Sequence, residues 1–194
     1  MKFLDKLAIT SEQNSSLLCV GLDPDPAKLP KPFKKNSSSI LAFNKAIIDA
    51  TRSLVCAYKP NIAFYETIGA SGIRILEKTI EYIGPDIPVI LDAKRGDIGH
   101  TAAAYAKSIF ENFAADATTV SPYLGFDSIR PFMEYRDKGV FILCLTSNQS
   151  SRDFQLSGDE PLYKLIAKQV VEWNVYGNLG LVVGATSPHE LKEA

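Results

Sequence analysis

Six times along this chain an apolar run closes on polar residues and is followed by a stretch with helical spacing, and that repetition narrows the possible folds more than any other feature. The pairs fall at residues 16–23 and 37–54, 55–61 and 67–83, 89–92 and about 99–110, 117–123 and 127–135, 140–148 and 162–173, and 179–186 with a helix from near Pro188. Within the runs, β-branched and aliphatic residues follow one another without polar alternation, as in Val89-Ile-Leu and Val140-Phe-Ile-Leu. A strand of that kind must be covered on both faces, so it belongs in a parallel sheet flanked by helices. The helical stretches carry one-sided apolar stripes, for example Ile40, Leu41, Phe43, Ala46, Ile47 and Ala50 behind a serine cap.

Strict alternation leaves a closed β/α barrel or an open doubly wound sheet. Asp23, Lys59, Asp92, Lys94, Thr146 and Ser147 all fall at C-terminal strand ends, and barrels assemble their sites from the ends of several different strands. No glycine-rich phosphate fingerprint follows any run, as the switch point of an open dinucleotide-binding sheet would require. The expected fold class is therefore α/β, a (β/α)8 TIM barrel of which about six βα units are present, forming a single domain over residues 1–194. A closed barrel uses eight such units and typically about 250 residues. The expectation is thus of a chain lacking the last two units, with unpaired edges on the first and sixth strands and phosphate-binding residues beyond residue 194.

Charge concentrates in one stretch, Pro88-Val-Ile-Leu-Asp92-Ala-Lys94-Arg95-Gly96-Asp97-Ile98-Gly99-His100-Thr101. Regular strand alternation would send Asp92 and Lys94 to the same face. Gly96 permits a tight turn, and Asp97 precedes a helix whose N-terminus favours its negative charge. The arrangement suits either a catalytic charge cluster or a structural ion-pair network closing a strand.

Composition excludes other classes. With 46% hydrophobic residues the chain can bury a substantial core, and a net charge of −1 supplies no attraction for nucleic acid or an anionic membrane. Cys19, Cys56 and Cys144 are odd in number, lack CxxC spacing and sit in apolar runs, which reads as reduced core thiols of a cytoplasmic protein. The first eight residues read as a short amphipathic helix, with an acid that a signal peptide would exclude, and no run reaches the roughly 18 apolar residues of a membrane span. His100 and His189 are too isolated for a metal pair and read as structural, Trp173 reads as a packing residue, and the polar stretch 149–160 reads as a mobile loop over a site.

Taken together, the charged stretch resembles the Asp-x-Lys-x-x-Asp motif of the orotidine 5′-phosphate decarboxylase family, in the form with Ala-Lys-Arg-Gly found in one bacterial branch. Val20-Gly-Leu-Asp23-Pro, Tyr58-Lys59-Pro-Asn61, Ser121-Pro-Tyr-Leu-Gly, Leu145-Thr146-Ser147-Asn148 and Val182-Val-Gly-Ala-Thr resemble the same branch, in its order. One departure is Gln149, where the branch usually has proline.

The resemblance implies conversion of orotidine 5′-phosphate to uridine 5′-phosphate and carbon dioxide in pyrimidine biosynthesis, without metal or organic cofactor. It implies Lys94 as proton donor, Asp92 beside the substrate carboxylate, and Lys59 and Asp97 completing an alternating array of charge. It further implies Asp23 and Lys59 at the ribose hydroxyls, Thr146 near the pyrimidine ring, and a homodimer in which Asp97, Ile98 and Thr101 serve the neighbour's site. Two alternatives remain at this level: a magnesium-dependent sugar-phosphate decarboxylase or aldolase of the same barrel superfamily, and a noncatalytic nucleotide-binding barrel. Retention of both lysines and all three acids speaks against the second, since binding alone needs no proton donor.

Overall fold

The structure, a computed structural model, describes residues 1–186 and 188–193. Strands and helices alternate as the hydrophobic pattern predicts. The strands form a two-stranded sheet, β1-β2, and a four-stranded sheet in the order β3-β4-β5-β6. By its internal contacts the chain divides into two compact units, Met1–Ala93 with Lys107–Thr118, and Lys94–Ala106 with the segment from Thr119 onward.

In the first unit, β1 (Cys19–Leu22) runs parallel to β2 (Ala57–Pro60) in the register Cys19↔Ala57 to Leu22↔Pro60. Parallel bridges then link β2 to the next strand, Tyr58 to Val89 and Asn61 to Asp92. The N-terminal helix α1 (Phe3–Gln13) buries Phe3, Lys6 and Thr10 as a stripe one residue wide. Its lysine docks on charge: Lys6 Nζ lies 2.7 Å from Asp116 Oδ2, the same oxygen that accepts from Val89 N at 2.9 Å. A buried ammonium is tolerable only with such a partner.

Helix α2 (Ile40–Thr51) buries Ile40, Asn44 and Ile48 at a four-residue spacing. Here the expected serine cap is not made. Ser37–Ser39 form a 3-10 turn, and the hydroxyls of Ser38 and Ser39 donate back to Asn36 Oδ1. The stretch read as one helix over 67–83 is preceded by a separate short helix, α3 (Ile62–Glu66), whose first turn is capped by Asn61 Oδ1 accepting from Ala63 N. Helix α4 (Ala70–Ile83) then packs so closely that a Cβ at Gly72 would stand 1.9 Å from the Tyr65 carbonyl oxygen. Only glycine fits there.

Strand β3 (Ile90–Arg95) and strand β4 (Ala117–Val120) pass through the division between the units. Between them lies α5 (Gly99–Lys107), continued by a π-helical turn at Ser108–Asn112.

In the second unit, α6 (Phe126–Met133), β5 (Gly139–Leu145), α7 (Leu162–Trp173), β6 (Leu179–Val183) and α8 (Pro188–Glu193) follow in turn. β5 and β6 are parallel, with Val140 opposite Leu179. Cys144, Leu145, Tyr163 and Ala167 form a buried cluster on which Leu156, Ile166, Leu181 and Val183 pack. Trp173 packs its ring 5.4 Å from that of Phe126, as a helix-packing residue should. Most strands are shorter at their polar ends than the apolar pattern suggests, β5 stopping at Leu145 rather than continuing to Asn148, whereas β3 runs past Asp92 to Arg95.

One further reading is corrected. Cys19 is exposed, whereas Cys56 and Cys144 are buried thiols. On β1 exposure follows the two-residue alternation of a strand, with Cys19 and Gly21 exposed and Leu22 buried. Within the stretch 149–160, Gln149–Asp153 form a 3-10 turn and Leu156 packs on the core.

Candidate functional site

The first unit assembles one charged group from the ends of three adjacent strands. Asp92, at 6% exposure, is among the most buried charged residues described. Lys59 Nζ from β2 sits 3.2 Å from its Oδ2, and Asn61 Nδ2 donates to the same oxygen at 3.4 Å. The parallel bridge between Asn61 and Asp92 fixes this meeting, because it holds the two strand ends at the same height. Asp23, past the end of β1, accepts from the backbone N–H of Asn61 at 3.1 Å. Asn61 thus ties both acids together while capping α3.

Beneath this group a buried polar network holds the end of β1. Tyr65 donates to the Leu22 carbonyl at 3.0 Å, and Asn44 Nδ2 donates to both the Tyr65 oxygen and Thr79 Oγ1. Burial pushes the Tyr65 phenol well above its ordinary range, so it stays a hydrogen-bond donor at any working pH. Beside Asp23 opens a cleft of about 280 Å³ lined by Pro24, Lys28, Leu29, Phe43 and Phe64.

In the second unit, Lys94 is exposed and has φ +45°, the left-handed region that residues with a Cβ seldom adopt. Its backbone N–H donates to Thr119 Oγ1 at 2.9 Å. A left-handed residue departs from the regular strand backbone on which two-fold side-chain alternation rests. Next, the Arg95 carbonyl accepts from Ser121 N at 2.7 Å, and the Arg95 guanidinium lies 4.8 Å from the centre of the Tyr105 ring. Gly96 is crowded: a Cβ there would stand 3.1 Å from Ser121 Cβ.

Asp97 Oδ1 accepts from Ile98 N at 2.8 Å, which shapes the entry to α5, and Ile98 itself is 57% exposed. Thr101 lies exposed in the first turn of that helix, its N–H donating to the Ile98 carbonyl. Thr146 follows β5, where Gln155 grips it by two side-chain hydrogen bonds. His100 is exposed on α5, and among the described residues no cluster of three or more His, Cys, Asp or Glu side chains is spaced to hold a metal ion. No described helix is long and apolar enough to cross a membrane.

Residues 16–194 match the orotidine 5′-phosphate decarboxylase / HUMPS family. The chain belongs to that family.

Its relatives include the orotidine 5′-phosphate decarboxylase of Dehalococcoides mccartyi strain CBDB1, 53% identical over all of this chain and 72% of the relative, and that of Ralstonia nicotianae, 50% identical over 99% of this chain and 72% of the relative. Among solved structures, the OMP decarboxylase of Leishmania donovani is similar at 45% identity and a TM-score of 0.90, with 100% of this chain and 74% of that one covered. The UMP synthase of the same organism matches at 46% identity and a TM-score of 0.91, where all of this chain spans 42% of the longer protein. At such similarity the fold is shared: alternating helices and parallel strands of the (β/α)8-barrel type, with six strands among the described residues. Membership classes the chain with the carboxy-lyases.

Of the residues singled out from the sequence, the structure gathers Asp23, Lys59 and Asp92 in the first unit, through Asn61. It places Lys94, Asp97, Ile98, Thr101 and Thr146 in the second. Sequence reasoning missed Asn61 and Gln155 as site residues. Asn61 stood in the Tyr58-Lys59-Pro-Asn61 run, where an asparagine after a proline at a strand end signals a cap. Gln155 had no local signal, because its partner lies nine residues away across a loop.

Proposed function

We propose that this chain carries orotidine 5′-phosphate decarboxylase activity, releasing carbon dioxide and uridine 5′-phosphate in pyrimidine (UMP) biosynthesis without a metal or cofactor. The observation that carries the reading is the buried Asp92 carboxylate, held by Lys59 and Asn61 two residues before Lys94. Identity of 50–53% to bacterial decarboxylases supports the reaction and the assignment to their branch.

In the proposed reaction the bond between the pyrimidine ring carbon and its carboxylate breaks, carbon dioxide departs, and the electron pair stays on the ring carbon. No adjacent carbonyl can delocalise that pair, so fixed charge must stabilise it. The Lys94 ammonium provides the cation and then the proton, leaving a neutral amine that takes a proton back from water. Asp92 lies beside the substrate carboxylate, and its negative charge is tolerated in a buried position because Lys59 neutralises it. Asp23 and Lys59 bind the ribose hydroxyls, and Asp23 is suited to that because it is exposed beside an open cleft. Thr146 meets the pyrimidine ring.

Asp97, Ile98 and Thr101 are proposed to serve the site of a second copy in a homodimer. A cytoplasmic location is part of the same reading and is supported by the buried free thiols of Cys56 and Cys144. The domain is read as one β/α barrel.

The test is loss of orotidine 5′-phosphate absorbance with ethylenediaminetetraacetate present. Turnover unaffected by the chelator is expected. Turnover of a sugar phosphate that requires magnesium would replace this reading with the aldolase-type one.

A further inference from the structure

The loop after β5 contains a polar clamp that the charged motif does not explain. Gln155 Oε1 accepts from the backbone N–H of Thr146 at 2.7 Å, and Gln155 Nε2 donates to Thr146 Oγ1 at 2.8 Å. The first bond sets the amide's orientation, because an N–H can face only the carbonyl oxygen of a carboxamide. The nitrogen is then forced toward the threonine hydroxyl. A hydroxyl that accepts from this nitrogen has a single proton to give, and of the two acceptors in reach Asn148 Oδ1 at 2.6 Å is nearer than Gln155 Oε1 at 3.2 Å.

The clamp is itself anchored. Gln155 N donates to the Ser151 carbonyl at 2.8 Å, its carbonyl accepts from Tyr163 N at 3.1 Å, and the neighbouring Leu156 packs on the cluster of Cys144, Leu145, Tyr163 and Ala167. The side chain therefore approaches Thr146 from a fixed base.

We propose that Gln155 is a specificity-determining positioning residue: it makes the Thr146 hydroxyl an obligatory hydrogen-bond donor toward the edge of the bound base. This rests on the reading that Thr146 meets the pyrimidine ring. When a nucleotide binds, the proton now given to Asn148 swings to an acceptor on the base. A ring carbonyl, as in uracil or orotate, satisfies it, whereas an exocyclic amino group, as in cytosine, presents a second donor and leaves both unpaired. Discrimination of this kind is strong because the penalty falls on the wrong ligand.

The experiment measures binding of uridine 5′-phosphate and cytidine 5′-phosphate to the full chain by calorimetry, for wild type, Gln155→Leu, Gln155→Glu and Thr146→Val, with thermal unfolding of each. Gln155→Leu lets the hydroxyl rotate. Gln155→Glu keeps the acceptor for Thr146 N–H but also accepts from the hydroxyl, turning its proton away from the base. Both should lower the preference for uridine 5′-phosphate over cytidine 5′-phosphate about tenfold, which corresponds to ~1.4 kcal/mol, and Gln155→Glu should do so with an unfolding midpoint near that of wild type. A merely structural tie would survive in Gln155→Glu, so wild-type preference in that variant would overturn the proposal while leaving the reading of Thr146 intact. Wild-type preference in Thr146→Val, or no nucleotide binding by the wild-type chain, would overturn that reading and the proposal with it.

Discussion

Removing the Lys59 cation by Lys59→Met should destabilise the protein in a manner that depends on pH. The Lys59 Nζ to Asp92 Oδ2 distance of 3.2 Å corresponds to a gross attraction of about 5 kcal/mol at an effective dielectric constant of roughly 20. Desolvation consumes part of this, and the lysine side chain is 34% exposed, so solvent screens more of it. Losing one partner of a fully buried pair costs about 3–5 kcal/mol and losing an exposed one about 0–1. For this half-open pair a loss of about 2 kcal/mol is expected at pH 7. Methionine retains the length and apolar stem, so the loss reports charge rather than packing.

In the variant the buried Asp92 carboxylate has lost the Lys59 ammonium, so its charged form is held less well than in wild type. The penalty is therefore greatest where the carboxyl is ionised and shrinks as pH falls and protonation relieves it. Urea unfolding of wild type and variant at pH 7 and at pH 4 measures this directly. Adding Asp92→Asn should recover much of the loss, a coupling that a double-mutant cycle reads. Equal stability of wild type and Lys59→Met at pH 7, or a penalty unchanged at pH 4, would refute the electrostatic argument.

Three other outcomes are expected. Because Lys94 holds φ +45°, Lys94→Gly should be more stable than Lys94→Ala by about 1 kcal/mol in denaturant unfolding; equal midpoints would contradict strain at that residue. If Asp97 serves a partner's site, mixing Lys94→Ala and Asp97→Ala proteins should restore about a quarter of wild-type activity, since half the dimers are mixed and each has one intact site; exchange proven by mass spectrometry without recovery would contradict sharing. The Lys164 ammonium and the Tyr163 hydroxyl hold the Glu193 carboxyl below the usual glutamate range. Its contribution to docking α8 should therefore be complete above the ordinary glutamate value and lost as pH falls through the lowered one. Hydrogen exchange in α8 that accelerates in that acid window would agree, and pH-independent exchange would not.

Much of the architecture was legible because it depends on pattern. Leu162–Trp173 forms a helix with the limits its apolar stripe suggested, and each apolar run formed a strand because burial on both faces demands continuous hydrophobicity. The short helix α3 was hidden because its cap, Asn61, follows Pro60 in what reads as a strand end, and Gly69 separates α3 from α4. Ser39 did not cap α2 because its hydroxyl turned back to Asn36, a local competition invisible to periodicity.

The same boundary runs through the site. Asp92, Lys59 and Asp23 were readable as polar residues closing apolar strands, but their common tie, Asn61, became visible only when β2 and the strand of Asp92 lay side by side. Lys94 was readable as a strand-end cation, yet its left-handed backbone depends on a bond to Thr119 that sequence spacing cannot show. Gln155 acts across a loop and carries no period at all.

The proposed role of Lys94 as proton donor in a decarboxylation that needs no metal is tested most directly by the turnover of orotidine 5′-phosphate by Lys94→Ala beside wild type, both with ethylenediaminetetraacetate and with matching circular dichroism. Loss of donor and cation together should lower turnover by several orders of magnitude while the fold persists. Turnover by the variant at the wild-type rate would contradict the claim.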